Sequence, residues 1–333
     1  MTATIPRPAP ALPGKVFITG ANGFIGAALA RRMRALGVEV TGVDLTADPA
    51  NGIVAGNTTD PDSWSAALHG VDVVIHTAAL VSNVASLEDA WTVNVLGTRR
   101  VLDAAIGAGV RRFVHLSSIA AYGFAYPDGV DEKYPVHVNG HSYTDTKVNS
   151  EAVVLTAHAA GEIDCTVIRP GDVYGPESRP WVILILQMLA ARQLILPNGG
   201  KGTFTPVYID NLVDGILLAI ASDAAAGQIF NITDGDGMSC AQYFGRLARM
   251  TGGPVRTLPA GLAIALASTV GAIQRRLGRP SELSPGTMLM LNRPGAYSID
   301  KARTVLGYEP LVSFDEGMTR VEAWAREEGL IPA

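Results

Sequence analysis

Tyr143 and Lys147 stand four residues apart in Tyr143-Thr144-Asp145-Thr146-Lys147, and on a helix that spacing puts a phenol and an ammonium on one face. A phenol, with an ordinary pKa of about 10, is a poor base at neutral pH. A neighbouring ammonium favours the phenolate, and the pair then suits proton exchange with an alcohol or a carbonyl. The same spacing arises on any solvated helix face, so its weight depends on what stands beside it. The run His115-Leu116-Ser117-Ser118-Ile119-Ala120-Ala121-Tyr122-Gly123 closes a predicted strand with two hydroxyls, at the strand end where open parallel sheets bind ligands. Either hydroxyl could hold a substrate oxygen against Tyr143, and spacing alone does not choose Ser118 over Ser117.

A second group of residues is built for phosphate. Thr19-Gly20-Ala21-Asn22-Gly23-Phe24-Ile25-Gly26 joins a strand-like run to a helical one. Gly20 permits the tight turn, Gly23 lets a pyrophosphate approach the backbone, and Gly26 lets helix and strand pack closely. The helix opening at Phe24 and Ile25 offers free N–H groups and a partial positive charge. Asp44, 18 residues after Gly26, closes the second strand and is followed by Leu45 and Thr46, not by arginine. A carboxylate there accepts hydrogen bonds from adenosine ribose hydroxyls and repels a 2′-phosphate, so NAD is expected over NADP.

These residues need a scaffold, and the first half of the chain reads as one. Strand patterns at 15–19, 38–44, 53–55, 71–77, 112–117 and 165–169 alternate with helical patterns at 24–36, 88–108 and 143–159. Such alternation predicts a Rossmann-like α/β fold, a doubly wound parallel sheet with helices on both faces. Beyond Pro170 turn-rich segments such as 196–202 take over, 228–232 could add an edge strand, and helices dominate after Met238. The expected organisation is a disordered lead-in (1–13), an NAD-binding domain (14–172 plus about 206–235), and a smaller, mostly α-helical substrate lobe (about 173–205 and 236–333). His76 and His115 read as strand packing and Asp210 as a helix N-cap.

Composition narrows the classes. The 333 residues are 48% hydrophobic and 17% charged, with a formal net charge of −5 and no basic block, which argues against a nucleic-acid partner. Cys165 and Cys240 lack metal or redox spacing, the six histidines show no ligand pattern, and no metal is expected. The proline-rich start has no signal-peptide core. Leu262, Leu266, Val270 and Ile273 form one apolar stripe, read as a helix of a soluble lobe and not as an integral membrane segment, with peripheral membrane contact as an unsupported alternative. The cytoplasm is the default location.

Taken together, TGANGFIG, GNTTD at 56–60, DVVIHTAA at 72–79, NVLGT at 94–98, SSIAAYG, YTDTK, RPGDVYGP at 169–176 and VYIDNLVDG resemble the extended, epimerase/dehydratase-like short-chain dehydrogenases over about 15–330. The resemblance implies that Ser118 is the family's catalytic hydroxyl, beside Tyr143 and Lys147. It places Asn57 and Thr58 at the adenine, although many members have Asp at the first position. It also implies that Thr77, Ala78 and Ala79 line the cofactor, that Asn94 braces its ribose and nicotinamide side, and that Pro170, Gly171 and Val173 shape the nicotinamide pocket. Members are often homodimers.

Two departures separate the chain from nucleotide-sugar enzymes. Ile119 and Ala120 follow Ser118 where dehydratases carry an Asp-Glu pair. Asp172 and Phe204 occupy positions where epimerases hold a diphosphate with Asn and Arg, and an acid is a poor anchor for a dianion. The segments 227–239 and 297–310 resemble the hydroxysteroid dehydrogenase branch. The expected activity is therefore NAD-dependent interconversion of a secondary alcohol and a ketone on an apolar small molecule, with Phe204 as a pocket wall and the Leu262–Ile273 stripe as either another wall or lobe core. A nucleotide-sugar 4-epimerase and a non-catalytic NAD sensor are the alternatives.

Overall fold

The computed structural model describes residues 12–278 and 281–332, so most of the expected disordered lead-in, 1–11, lies outside the described residues. Its centre is a seven-stranded parallel sheet in the order β11-β6-β5-β4-β1-β2-β3. The strands are β1 (Lys15–Thr19), β2 (Glu39–Asp44), β3 (Ile53–Ala55), β4 (Val73–His76), β5 (Arg112–Leu116), β6 (Asp164–Pro170) and β11 (Gln228–Ile232). Helices α1 (Phe24–Ala35), α2 (Leu87–Trp91), α3 (Gly97–Gly107), α4 (Ser142–Ala159) and α6 (Ile209–Ala221) cover its two faces. The apolar strand runs predict this double cover, since each strand buries side chains on both sides. Chain order reverses at β1, which lies between β2 and β4, and ligands of such sheets bind outside the carboxyl ends at that reversal.

The smaller lobe carries short strand pairs and helices. They are β7 (Asp172–Tyr174) with β10 (Pro206–Tyr208), β9 (Thr203–Phe204) with β12 (Met238–Ser239), and β8 (Ile195–Pro197) with β13 (Arg256–Leu258). Helices α5 (Leu184–Ala190), α7 (Cys240–Thr251), α8 (Ala260–Arg276), α9 (Pro285–Met290) and α10 (Phe314–Glu327) complete it.

The structure departs from four local expectations. The helix expected over 88–108 is α2 and α3 joined by a wide π-type turn at Thr92–Leu96. The turn lets Asn94 point inward, where periodicity alone would not put an amide. Asp210 is not an N-cap: the Asp234 carboxylate accepts from the Tyr208 N–H at the cap position, and Asp210 pairs with Arg320 at 2.9 Å. Phe204 is wholly buried, stacked on Tyr243 with centroids 3.8 Å apart and edge-on to Trp181, so it belongs to the lobe's core and offers no pocket wall. The stripe on α8 also faces the other way. Ala263, Ala267 and Gly271 are buried while Leu262, Leu266 and Ile273 are exposed, because the backbone of Leu283 comes so close that a Cβ on Gly271 would stand 2.0 Å from its carbonyl oxygen.

Candidate active site

The glycine turn after β1 has the shape its sequence requires. Gly20 takes a φ of +68°, and a Cβ there would lie 3.0 Å from the Ala78 backbone. A Cβ on Gly26 would stand 2.2 Å from the Gly20 carbonyl oxygen. Side chains at either position would fill the cradle or push α1 off the strand, so the turn fits a pyrophosphate laid against backbone N–H groups. Phe24 and Ile25 form the first turn of α1 and pack half-buried against the core.

Asp44 stands at the rim of the turn. Its carboxylate accepts from the Asn22 N–H at 2.9 Å and the Leu45 N–H at 2.7 Å, which fixes its direction and leaves acceptor capacity for ribose hydroxyls. Thr77 donates its hydroxyl to the Thr19 carbonyl at 2.7 Å, and the Ala78 N–H reaches the Thr19 hydroxyl at 3.3 Å. Those bonds carry the half-buried stretch Thr77, Ala78 and Ala79 across the mouth of the cradle. Asn57 accepts from Thr59 through its side-chain oxygen at 3.0 Å, shaping the loop after β3, and Thr58 beside it is buried against Gly97.

Asn94 acts as a clamp. Its amide oxygen accepts from the Leu80 N–H at 2.7 Å, and its NH₂ donates to the Leu80 carbonyl and the Thr146 hydroxyl, both at 3.0 Å. It ties the loop after β4 to the helix that carries Tyr143 and Lys147, without presenting a free group to the cradle. Pro170 ends β6, and a Cβ on Gly171 would lie 2.5 Å from the Thr205 carbonyl oxygen, so the chain can turn there only as glycine. Val173 follows in β7, paired with Val207 and half-buried.

The two serines after β5 have different partners. Ser117 is buried and donates to Glu151. Ser118 is half-buried, accepts from the Ala120 N–H at 3.1 Å, and sets its hydroxyl against the Tyr143 phenol, favouring the ionised form. Burial outweighs that help and pushes the phenol up to about 12. Lys147 is buried one helical turn on, with Nζ 5.8 Å from the centre of the Tyr143 ring. Its ammonium donates to the Leu116 carbonyl at 2.8 Å, and burial lowers its pKa to about 8. The expected lowering of the phenol by this ammonium is absent, because the charge is turned toward the strand end.

Beneath the pair lies polar structure that sequence reading passed over. Glu151, two turns along α4 from Tyr143, accepts from Arg169 at 2.8 Å and 2.6 Å, both groups being buried. The Arg169 guanidinium lies 4.6 Å from the centre of the Tyr122 ring, and Tyr122 donates to Asn231 at 2.9 Å. An arginine inside the apolar run Thr166–Pro170 was the available signal, since a buried strand charge needs a partner. His76 and His115 stack at 5.5 Å below Lys147. Burial and the nearby ammonium keep both neutral, with His76 lowered to about 3.

The lobe contributes Arg293. It is buried, forms an ion pair with Asp172, and lies beside the Tyr126 and Tyr297 hydroxyls, while its Nε has no hydrogen-bond partner. Asp172 in turn lies near enough to Tyr143 to disfavour the phenolate. Nothing near position 172 in sequence announces a cation 121 residues away. Among the described residues no cluster of His, Cys, Asp or Glu could hold a metal ion, and no helix is long and apolar enough to cross a membrane.

The profile of the NAD dependent epimerase/dehydratase family matches residues 16–233. The chain is 30% identical to a 3 beta-hydroxysteroid dehydrogenase/Delta 5-->4-isomerase of Mycobacterium tuberculosis, covering 92% of this chain and 89% of the relative. It is 31% identical to a UDP-glucose 4-epimerase of Mycolicibacterium smegmatis, with 94% and 99% covered. A dTDP-glucose 4,6-dehydratase of Streptomyces venezuelae, solved with NAD, superposes with a TM-score of 0.76 at 25% identity over 96% of this chain and 99% of that one. With the glycine cradle, Asp44 and the Ser118, Tyr143 and Lys147 group on one rim of the sheet, these likenesses establish that the chain belongs to the NAD dependent epimerase/dehydratase family and uses NAD.

Proposed function

We propose that the protein is an NAD-dependent oxidoreductase that interconverts a secondary alcohol and a ketone on an apolar small molecule. The observation that carries the reaction type is the Ser118 hydroxyl near enough to the Tyr143 phenol to favour its ionised form, with Lys147 one turn away and Ile119 and Ala120, not an acid pair, following Ser118. NAD supplies hydride exchange when bound. Ser118 holds the substrate oxygen, Tyr143 exchanges the proton, and Lys147 steadies the negative form of the phenol. Release of Lys147 from the Leu116 carbonyl toward the cofactor and the phenol completes the site.

The apolar substrate rests on the buried charge balance of the pocket wall. Asp172 already neutralises Arg293, the buried lobe cation nearest this site, so a diphosphate entering there would meet a carboxylate. Ile119, which directly follows Ser118, belongs with Tyr122, Tyr126 and Tyr297 to a buried apolar cluster, so the chain beside Ser118 is packed on apolar side chains and not on phosphate-binding ones. The second reading is a nucleotide-sugar epimerase, and the observation in its favour is the unpartnered Nε of Arg293. A panel of steroid alcohols, aliphatic alcohols and UDP- or dTDP-sugars, followed by formation of reduced cofactor, separates them. Net reduction of NAD by an apolar alcohol is the expected result. Epimerisation of a nucleotide sugar without net reduction would overturn the proposal.

A further inference from the structure

A helix on a globular surface normally turns its large apolar residues inward. α8 does the opposite. Its small residues Ala263, Ala267 and Gly271 face the lobe. Leu262 (60% exposed), Ile273 (52%) and Leu277 (67%) face solvent, with Leu266 between them. Spacings of four, seven and four residues keep these four side chains on one face, and a contiguous exposed apolar stripe marks an interaction site.

Charge identifies the partner. Between Gly237 and Ser281 the chain has no acid and six arginines, of which Arg246 is paired with Glu322 at 3.2 Å, although its formal net charge is −5. Arg256, ahead of the helix, and Arg276, three residues beyond Ile273, are exposed and form no ion pair among the described residues. Arg275 is also exposed and donates, among the described residues, to the Ser281 and Leu283 carbonyls. A second copy of the chain docked by two-fold symmetry would set the unpaired Arg256 and Arg276 against the same arginines of its partner, and the stretch from Gly237 to Ser281 supplies no acid to pair with them. An anionic lipid surface satisfies both halves of the pattern, since the stripe enters the acyl boundary while arginines at its ends meet phosphates.

We propose that α8 is an in-plane contact for anionic phospholipid membranes, with Leu262, Leu266, Ile273 and Leu277 entering the lipid and Arg256 and Arg276 binding headgroup phosphates. The contact lies on the lobe's outer side and does not depend on the substrate assigned above.

Co-sedimentation of the full chain with vesicles of phosphatidylcholine alone, and with added phosphatidylglycerol, tests this. Binding to the anionic vesicles is expected, with little binding to the neutral ones. Arg256→Gln with Arg276→Gln should weaken binding on the order of tenfold, and Leu262→Asp with Ile273→Asp should abolish it while NAD binding and melting temperature hold. Should the aspartate variant melt early, the glutamine variant, which alters only exposed groups, decides. Equal binding to both vesicle types, or none to either, would overturn the proposal. So would vesicle-free dimerisation lost in the aspartate variant, which would assign the face to a second copy.

Discussion

Tyr143 and Lys147 are tuned in opposite directions by the same burial, the phenol up to about 12 and the ammonium down to about 8. At neutral pH the phenol therefore carries its proton, ready to protonate a forming alkoxide, while alcohol oxidation needs positive charge brought close to it. Glu151 supports this region through Arg169. Glu151→Gln leaves a buried guanidinium without its counter-charge, and unfolding by denaturant should show a loss of about 3–5 kcal/mol. Replacing both Glu151 and Arg169 by Met should cost less than that single change. At the other end of the site, we propose that Asp44 governs cofactor choice. The unaltered chain should prefer NAD, and Asp44→Ser with Leu45→Arg should relax or reverse the preference in kcat/KM. Equal efficiency with NAD and NADP before any change would show that Asp44 does not face the ribose.

Elements matter here chiefly where they break their own pattern. The π-type turn at Thr92–Leu96 interrupts a helix that apolar periodicity reads as continuous, because the reason for it, Asn94 bonding Leu80 and Thr146, lies in two distant segments. The inverted face of α8 was illegible for a like reason, since periodicity marks a stripe but not the side on which the Leu283 backbone passes. By contrast, the strands and the Gly20–Gly26 turn were readable because hydrophobic runs and φ > 0 are local requirements. The row Thr19, His76 and His115 across β1, β4 and β5 gives a pH prediction. Both histidines are held below their ordinary pKa of 6.5 by burial. As pH falls below that value the unfolded chain takes up protons that the folded chain refuses. Stability is then complete above it and lost below, by about 1.4 kcal/mol per pH unit for each histidine, until about pH 3 for His76. Melting temperature should fall between about pH 7 and pH 5, and His76→Gln with His115→Gln should flatten that slope. An unchanged slope in the double variant would place the proton uptake elsewhere.

Over the whole molecule, the chain brings a cofactor rim, an acid–base pair and a lobe to one edge of a parallel sheet. The rim and the pair were visible in sequence as short motifs. The lobe's contribution was not, because Arg293 reaches Asp172 only through the tertiary fold, and Phe204 was assigned to the pocket by aligned position when packing puts it in the core. Removing the Arg293 charge tests the assignment of the pocket. Arg293→Met strands Asp172 near Tyr143, so the variant should lose turnover and shift its pH profile upward, because an unpaired carboxylate further disfavours the phenolate. An unchanged profile would place Arg293 outside the site's electrostatics.

Proton transfer by Tyr143, with NAD carrying the hydride, is the step we propose for this site. Its most direct test is Tyr143→Phe, measured as turnover with the best alcohol from the panel and as NAD affinity by calorimetry. Removing one hydroxyl leaves the Gly20–Gly26 cradle, Asp44 and Lys147 in place, so NAD affinity should stay within a few-fold of the unaltered protein. Turnover should fall by roughly 10²–10⁴, the usual contribution of a positioned acid–base group. Near-normal turnover in the Phe variant would contradict the account.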